Sequence, residues 1–157
     1  MLRDTRRGAG RREGRGAQVR LGHVSVVNDG LGNAAIAILK KNKVNGKVPV
    51  TGQDATVQGL QNILSGDQCM TVYKAIKKEA DAASQLAIAL IKGQDAASIA
   101  SATVKDTVLN KDVPSALEKP QAIFKDSVKD VITDGYWKAS DICTGSYAAL
   151  CTAAGVK

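Results

Sequence analysis

Residues 48–74 read VPVTGQDATVQGLQNILSGDQCMTVYK, and their pattern decides the fold class. Two short apolar runs, Val48-Pro49-Val50-Thr51 and Cys69-Met70-Thr71-Val72-Tyr73, read as buried strands. Between them, Val57, Leu60, Ile63 and Leu64 recur at helical spacing, which predicts one amphipathic helix. Asp54 is placed to cap that helix at its start, and Gly66 follows its end. Strand, helix and strand in so short a span describe a βαβ unit with parallel strands.

Upstream the same rhythm is present. His23-Val24-Ser25-Val26-Val27 reads as a strand that ends at Asn28-Asp29-Gly30. A helix is expected over about 33–43, stopped by Asn45-Gly46. Downstream, residues 76–92 form the clearest helix, with Ala80, Ala83, Leu86, Ala87, Leu90 and Ile91 on one face. Glu79 and Asp81 near its start and Lys92 near its end suit the helix dipole, and Gly93 closes it. Residues 94–103 read as a surface loop, with 107–109 and 121–124 as short strands. Ser127 to Asp134 reads as a short helix ending at Gly135, and 141–154 as a small terminal helical piece.

Three alternations of apolar strand and helix predict an α/β fold, a parallel sheet flanked by helices on both faces. In such sheets ligands sit beyond the carboxyl ends of the strands. Asn28, Gln53 with Asp54, and Lys74 fall at those three ends. Pattern alone therefore points to a small polar ligand.

Charge divides the chain in two. All seven Arg lie within the first 20 residues, beside Asp4 and Glu13, whereas residues 23–157 carry 15 Lys against 13 acids. Residues 1–22, rich in Arg and Gly, have a disordered composition. They read either as an arm that grips nucleic acid through phosphates or as a non-native leader. The lack of Phe, Tyr or Trp there to stack on bases favours the leader, so no specific nucleic-acid partner is expected. No 18-residue apolar run occurs, so no membrane span is predicted. No apolar signal-peptide core follows the basic start, and the chain as written is expected to stay cytoplasmic.

Val27-Asn28-Asp29, Gly46-Lys47-Val48-Pro49-Val50-Thr51-Gly52-Gln53-Asp54-Ala55 and Met70-Thr71-Val72-Tyr73-Lys74 together resemble the D-xylose-binding proteins of the type I periplasmic binding family. Asp112-Val113-Pro114-Ser115 and Asp134-Gly135-Tyr136 extend the likeness, which covers about 23–142. The resemblance implies the C-terminal lobe of a two-lobed sugar-binding protein that serves an ABC permease outside the cytoplasm. It implies Asn28, Asp54 and Lys74 as the sugar ligands, with Gln53 positioning Asp54. The chemistry suits pyranose hydroxyls: a carboxylate accepts, an ammonium donates and an amide does both. The alternatives are Asp54 as a plain helix cap and Lys74 as a solvated strand end.

The resemblance covers the C-terminal lobe only, so the family's N-terminal lobe is expected to be missing from the chain. A truncated and impaired binder is expected, holding xylose weakly or not at all and unable to signal closure. Helix 76–92, which the family packs on that lobe, is left to fold back, self-associate or aggregate. The expected division is a leader at 1–22, a sugar-binding lobe at 23–142 and a tail at 143–157.

The remaining chemistry-bearing residues are few. Cys69, inside a strand, reads as a buried apolar residue. Cys143 and Cys151 are either disulfide-bonded across a break near Thr144-Gly145 or two separate thiols on one helix, where they would be too far apart to bridge. His23 is the single histidine and opens a strand. No phosphate loop, nucleophile elbow or Cys/His ligand spacing occurs. No cofactor, metal or enzymatic activity is therefore expected. A sugar-sensing effector domain of a transcription regulator is the competing reading. It needs a helix-turn-helix that 22 Gly-rich residues do not supply.

Overall fold

The computed structural model describes residues 22–157. The expected leader, apart from Gly22, lies outside the described residues. From there the chain runs α1 (Asp29–Lys41), β1 (Thr51–Gln53), α2 (Val57–Ser65), β2 (Met70–Tyr73), α3 (Ile76–Ile91), β3 (Ala102–Asp106), β4 (Lys111–Ser115), β5 (Gln121–Ile123), α4 (Val128–Thr133), α5 (Ala139–Ile142) and α6 (Tyr147–Ala153).

The βαβ unit forms as its sequence dictates. β1 and β2 pair in parallel, with Gln53 opposite Val72. Gly66 closes α2 at φ 84°. Asp67 N donates to Asn62 O and Gly66 N to Ile63 O, the pair of reversed hydrogen bonds that ends a helix on a left-handed glycine. The first expected strand is reduced to one parallel bridge, Val24 to Val50. Val24 there exchanges hydrogen bonds with Pro49 O and Thr51 N. α1 begins at Asp29 rather than near residue 33, because Asn28 caps it: Asn28 Oδ1 accepts from Leu31 N at 3.0 Å.

The sheet is mixed rather than all parallel. Its order is β1-β2-β5, and β5 runs antiparallel to β2 with Gln121 opposite Tyr73. The chain leaves the sheet at the carboxyl end of β2 and returns at that same end, so β5 must run the other way. The excursion between them contains α3 and the antiparallel β3–β4 hairpin. Residues 107–109, expected as a strand, are the turn of this hairpin. Asp106 Oδ1 accepts from Val108 N and Leu109 N, which bends the backbone out of extended form.

Burial sets which helices hold the lobe together. α2 is the hub: it packs on α1, β2, α5 and α6. Leu60, Ile63 and Leu64 of α2 join Tyr73, Ile123, Val128, Val131, Ile142, Cys151 and Val156 in the main core. A second cluster of Ile36, Leu39 and Val50 lies under α1. α3 differs, since Ala89 is its one buried residue while Ile88, Leu90 and Ile91 stand exposed.

The tail is built into the core. Cys143 and Cys151 form a disulfide with Cα atoms 5.7 Å apart. The break between α5 and α6, where Gly145 takes φ 52°, brings the two sulfurs together as a continuous helix could not. Gln61 of α2 donates Nε2–H to Ile142 O at 2.9 Å. Cys69 is exposed, contrary to its expected burial: it precedes β2, and its neighbour Gln68 takes the inward place.

Candidate functional site

Two of the four expected site residues stand directly after β1 and β2, and Asn28 lies beyond the Val24 bridge at the start of α1. Asp54 follows β1 and Lys74 follows β2. Parallel pairing makes these ends neighbours, and Lys74 Nζ lies 3.0 Å from Asp54 Oδ1. The side chains are 32% and 38% exposed respectively, so the pair is open to solvent. Asn28 caps α1 through its Oδ1, which leaves its Nδ2 as the available donor. Gln53 sits in the ladder opposite Val72, and the hydrogen bonds that fix the Asp54 backbone come from other residues.

Asp54 does not cap α2. Thr56 does, with its Oγ1 accepting from Gly59 N at 3.0 Å. Between strand and helix the chain takes two left-handed residues in succession, Asp54 at φ 94° and Ala55 at φ 47°. This conformation is rare for residues with a Cβ. It delays the helix and turns the Asp54 carboxylate toward Lys74 instead of toward the backbone N–H groups of α2.

Each polar backbone group of this turn has a partner. Asp54 N donates to Val72 O at 2.8 Å. Ala55 N donates to Thr71 Oγ1 at 3.2 Å, and Thr56 N to Asp29 Oδ2 at 2.8 Å. Trp137 Nε1 donates to Ala55 O at 2.8 Å, and the Tyr136 hydroxyl reaches Asp54 O at 3.5 Å. Tyr136 and Trp137, far from the turn in sequence, therefore brace the site from behind. Their rings meet edge to face at 5.4 Å, and Tyr136 meets Tyr73 likewise at 5.1 Å.

Asp29 had no role assigned by the sequence. It is fully buried, and its carboxylate accepts four hydrogen bonds. Oδ2 takes Thr56 N and Thr56 Oγ1. Oδ1 takes Gln68 Nε2 and Thr71 Oγ1, each at 2.8 Å. An acidic residue directly after an apolar strand and before a helix was the available signal, since a surface acid has no need of that place.

Beyond Lys74, a polar cavity of about 340 Å³ is lined by Tyr73, Lys78, Gln121, Asp130 and Asp134 among others. Tyr73 donates its hydroxyl to Asp134 Oδ2 at 2.5 Å, and Lys78 Nζ lies 3.4 Å from Asp134 Oδ1. Burial, then the Asp134 carboxylate, pushes the Tyr73 phenol above its ordinary range. The Tyr73 hydrogen bond holds Asp134 below the ordinary carboxylate range. These groups satisfy one another and lock β2 to the end of α4. Among the described residues no group of three or more His, Cys, Asp or Glu could hold a metal ion, and no helix is long and apolar enough to cross a membrane.

A family model described as a periplasmic binding protein domain matches residues 15–95. The chain belongs to the periplasmic binding protein family. It is 40% identical over 119 residues to the D-xylose-binding periplasmic protein of Escherichia coli K12, covering 73% of this chain and 34% of that protein. It is 37% identical over 110 residues to the protein of the same name from Haemophilus influenzae, covering 69% and 32%. A solved carbohydrate transporter solute-binding protein from Chloroflexus aurantiacus, in complex with D-glucose, superposes with a TM-score of 0.60 at 30% identity. It covers 76% of this chain and 35% of that one. The chain thus spans about a third of the length of the relatives that it matches. The family match and the superposition agree with the α/β single-lobe fold expected from the sequence.

Proposed function

We propose that this lobe binds a xylose-like monosaccharide as part of the substrate-binding component of an ABC sugar importer. Asn28, Asp54 and Lys74 would be the ligands, with Gln53 at the rim. The observation that carries this is the 3.0 Å contact of Asp54 with Lys74 at two adjacent strand ends. A carboxylate and an ammonium held side by side offer a vicinal diol one acceptor and one donor. The pair is partly exposed, so a sugar hydroxyl can enter without unfolding anything.

Binding by this lobe alone is expected to be weak, because the solvent-open Asp54–Lys74 pair leaves one side of a sugar in water. Relatives named for D-xylose support the pentose, whereas the D-glucose complex supports a wider pyranose class. Their periplasmic names support work outside the cytoplasm with a permease, as a binder and not as an enzyme. Titration of D-xylose, D-glucose and L-arabinose into the chain, followed by amide NMR, tests the reading. Shifts confined to Asn28, Asp54 and Lys74 are expected, strongest for D-xylose. Shifts elsewhere, or none, would refute it.

Self-association through residues 76–92 belongs to the same proposal. The exposed Ile88, Leu90 and Ile91 of α3 support it, since clustered apolar side chains favour burial against another surface. Sedimentation should show concentration-dependent dimers that Leu90→Glu abolishes. A monomer at all concentrations would end this part of the proposal.

A further inference from the structure

We infer that Asp29 is a positioning residue for the sugar site, acting with Thr71 to set the direction in which Asp54 points. This rests on the sugar-binding reading above and names what holds that site in shape. Asp29 cannot itself meet a sugar, since it is fully buried. Its effect passes through backbone and hydroxyl groups.

The direction of the hydrogen bonds follows from the chemistry of the groups. An ionised carboxylate only accepts. The single hydroxyl proton of Thr71 therefore goes to Asp29 Oδ1, 2.8 Å away. That leaves the lone pairs of Thr71 Oγ1 to receive the Ala55 N–H at 3.2 Å. The other carboxylate oxygen holds the next amide, Thr56 N, at 2.8 Å. Asp29 thus fixes two successive peptide units on the helix side of Asp54, one directly and one through Thr71.

Those units belong to a turn that cannot hold itself. Asp54 and Ala55 both lie at positive φ, where residues with a Cβ persist only if their surroundings impose it. With the carboxylate removed, the Thr71 hydroxyl is free to rotate and the Thr56 amide loses its acceptor. The bonds from Trp137 and Tyr136 to the carbonyls and from Asp54 N to Val72 O remain, but none of them holds the Ala55 or Thr56 amide, which can then leave the left-handed geometry. Asp54 would swing toward the start of α2, where a carboxylate is welcome, and away from Lys74. Asp29 also sits beside Asn28 in the chain, so the same anchor fixes a second sugar ligand.

Two glycines clear the space for this carboxylate. A Cβ on Gly52 would lie 2.2 Å from Asp29 Oδ1, and one on Gly59 would lie 2.1 Å from Oδ2. β1 and α2 approach Asp29 closely only because both positions are glycine.

The test uses the whole 157-residue chain, labelled for NMR, with D-xylose as the probe. Thr71→Val keeps the side-chain shape and removes the hydroxyl, whereas Thr71→Ser keeps the hydroxyl and removes the methyl. The backbone couplings and shifts of Asp54 and Ala55 report φ, and the sugar titration reports affinity. Thr71→Val should move Ala55 out of the left-handed region and weaken D-xylose binding by about tenfold. Thr71→Ser should keep both, even where its thermal stability is the lower of the two. Asp29→Asn, where it folds, should behave as Thr71→Val does. A packing role alone gives the opposite order, with Ser impaired and Val normal, and that result would overturn the inference. So would unchanged φ and affinity in Thr71→Val. If the parent chain shows no sugar-induced shifts, the sugar reading fails, while the φ readout still decides whether Asp29 and Thr71 hold the turn.

Discussion

Lys74 Nζ lies 3.0 Å from Asp54 Oδ1 across the ends of two parallel strands, and the contact contributes little to folding. Both side chains reach solvent, where such pairs are worth at most about 1 kcal/mol. Asp54→Asn and Lys74→Gln should each change unfolding free energy by no more than about 0.5 kcal/mol. Each should nonetheless remove the D-xylose response at the neighbouring amides. Paired denaturation and NMR titration of the two variants measure both effects. A large stability loss with sugar response intact would mark the pair as structural.

Gly59 makes a counterintuitive prediction. Alanine in a helix normally stabilises by about 1 kcal/mol over glycine. In α2 the added methyl would meet the Asp29 carboxylate at 2.1 Å, and that carboxylate is held by four hydrogen bonds. Gly59→Ala should therefore destabilise by about 2 kcal/mol. Thermal melts compare it with Gly93→Ala, where a methyl would meet nothing within 4 Å but φ is 64°. A more stable Gly59→Ala chain would contradict the packing around Asp29.

The disulfide between Cys143 and Cys151 closes a short loop and holds α6 against α2. Replacing both cysteines with alanine should cost about 2 kcal/mol. Reductant should lower the melting temperature of the parent chain to that of the double variant and leave the variant unchanged. Equal melting of parent and variant in oxidising buffer would show that the bond adds nothing.

Asp67 gives the fold an acid-sensitive link. It lies 2.8 Å from Lys40 of α1 and accepts from Asn45 and Ser65. Burial pushes its carboxyl up, but the hydrogen bonds from Lys40, Asn45 and Ser65 prevail and hold it below its ordinary value of 3.8. A carboxyl with a lowered folded-state pKa stabilises above its unfolded pKa and loses that stabilisation as pH falls through the folded one. Asp67→Asn should be less stable than the parent at pH 7 by about 1 kcal/mol. The difference should shrink below pH 3.8 and vanish once Asp67 is protonated in both states. Denaturant melts from pH 7 to pH 2 measure it, and a pH-independent difference would refute the linkage.

Local signals carried much of this fold into the sequence. The helical spacing of Val57, Leu60, Ile63 and Leu64 with Gly66 behind it needs no distant residue to be interpreted, and α2 ends where it says. Strand ends are equally legible, and Asp54 and Lys74 follow two strands that pair in parallel. The direction of β5 was not legible, because an apolar run such as Gln121–Ile123 carries no orientation. Val108 and Leu109 looked like strand residues, yet the neighbouring Asp106 side chain imposes a turn on them. The left-handed conformation of Asp54 and Ala55 was hidden for another reason. It depends on Thr71, Asp29 and Trp137, which bond to the turn from 16, 27 and 82 residues away. The burial of Asp29 runs against expectation for its residue type, because acidic residues are seldom fully buried unless paired or fully hydrogen-bonded.

The most direct test of the sugar half-site is a titration of D-xylose into the labelled 157-residue chain, repeated with Asp54→Asn. A working half-site predicts weak, saturable shifts at Asn28, Asp54 and Lys74 that disappear in the variant. Shifts that persist unchanged in Asp54→Asn, or their absence at all three residues at saturating sugar, would contradict it.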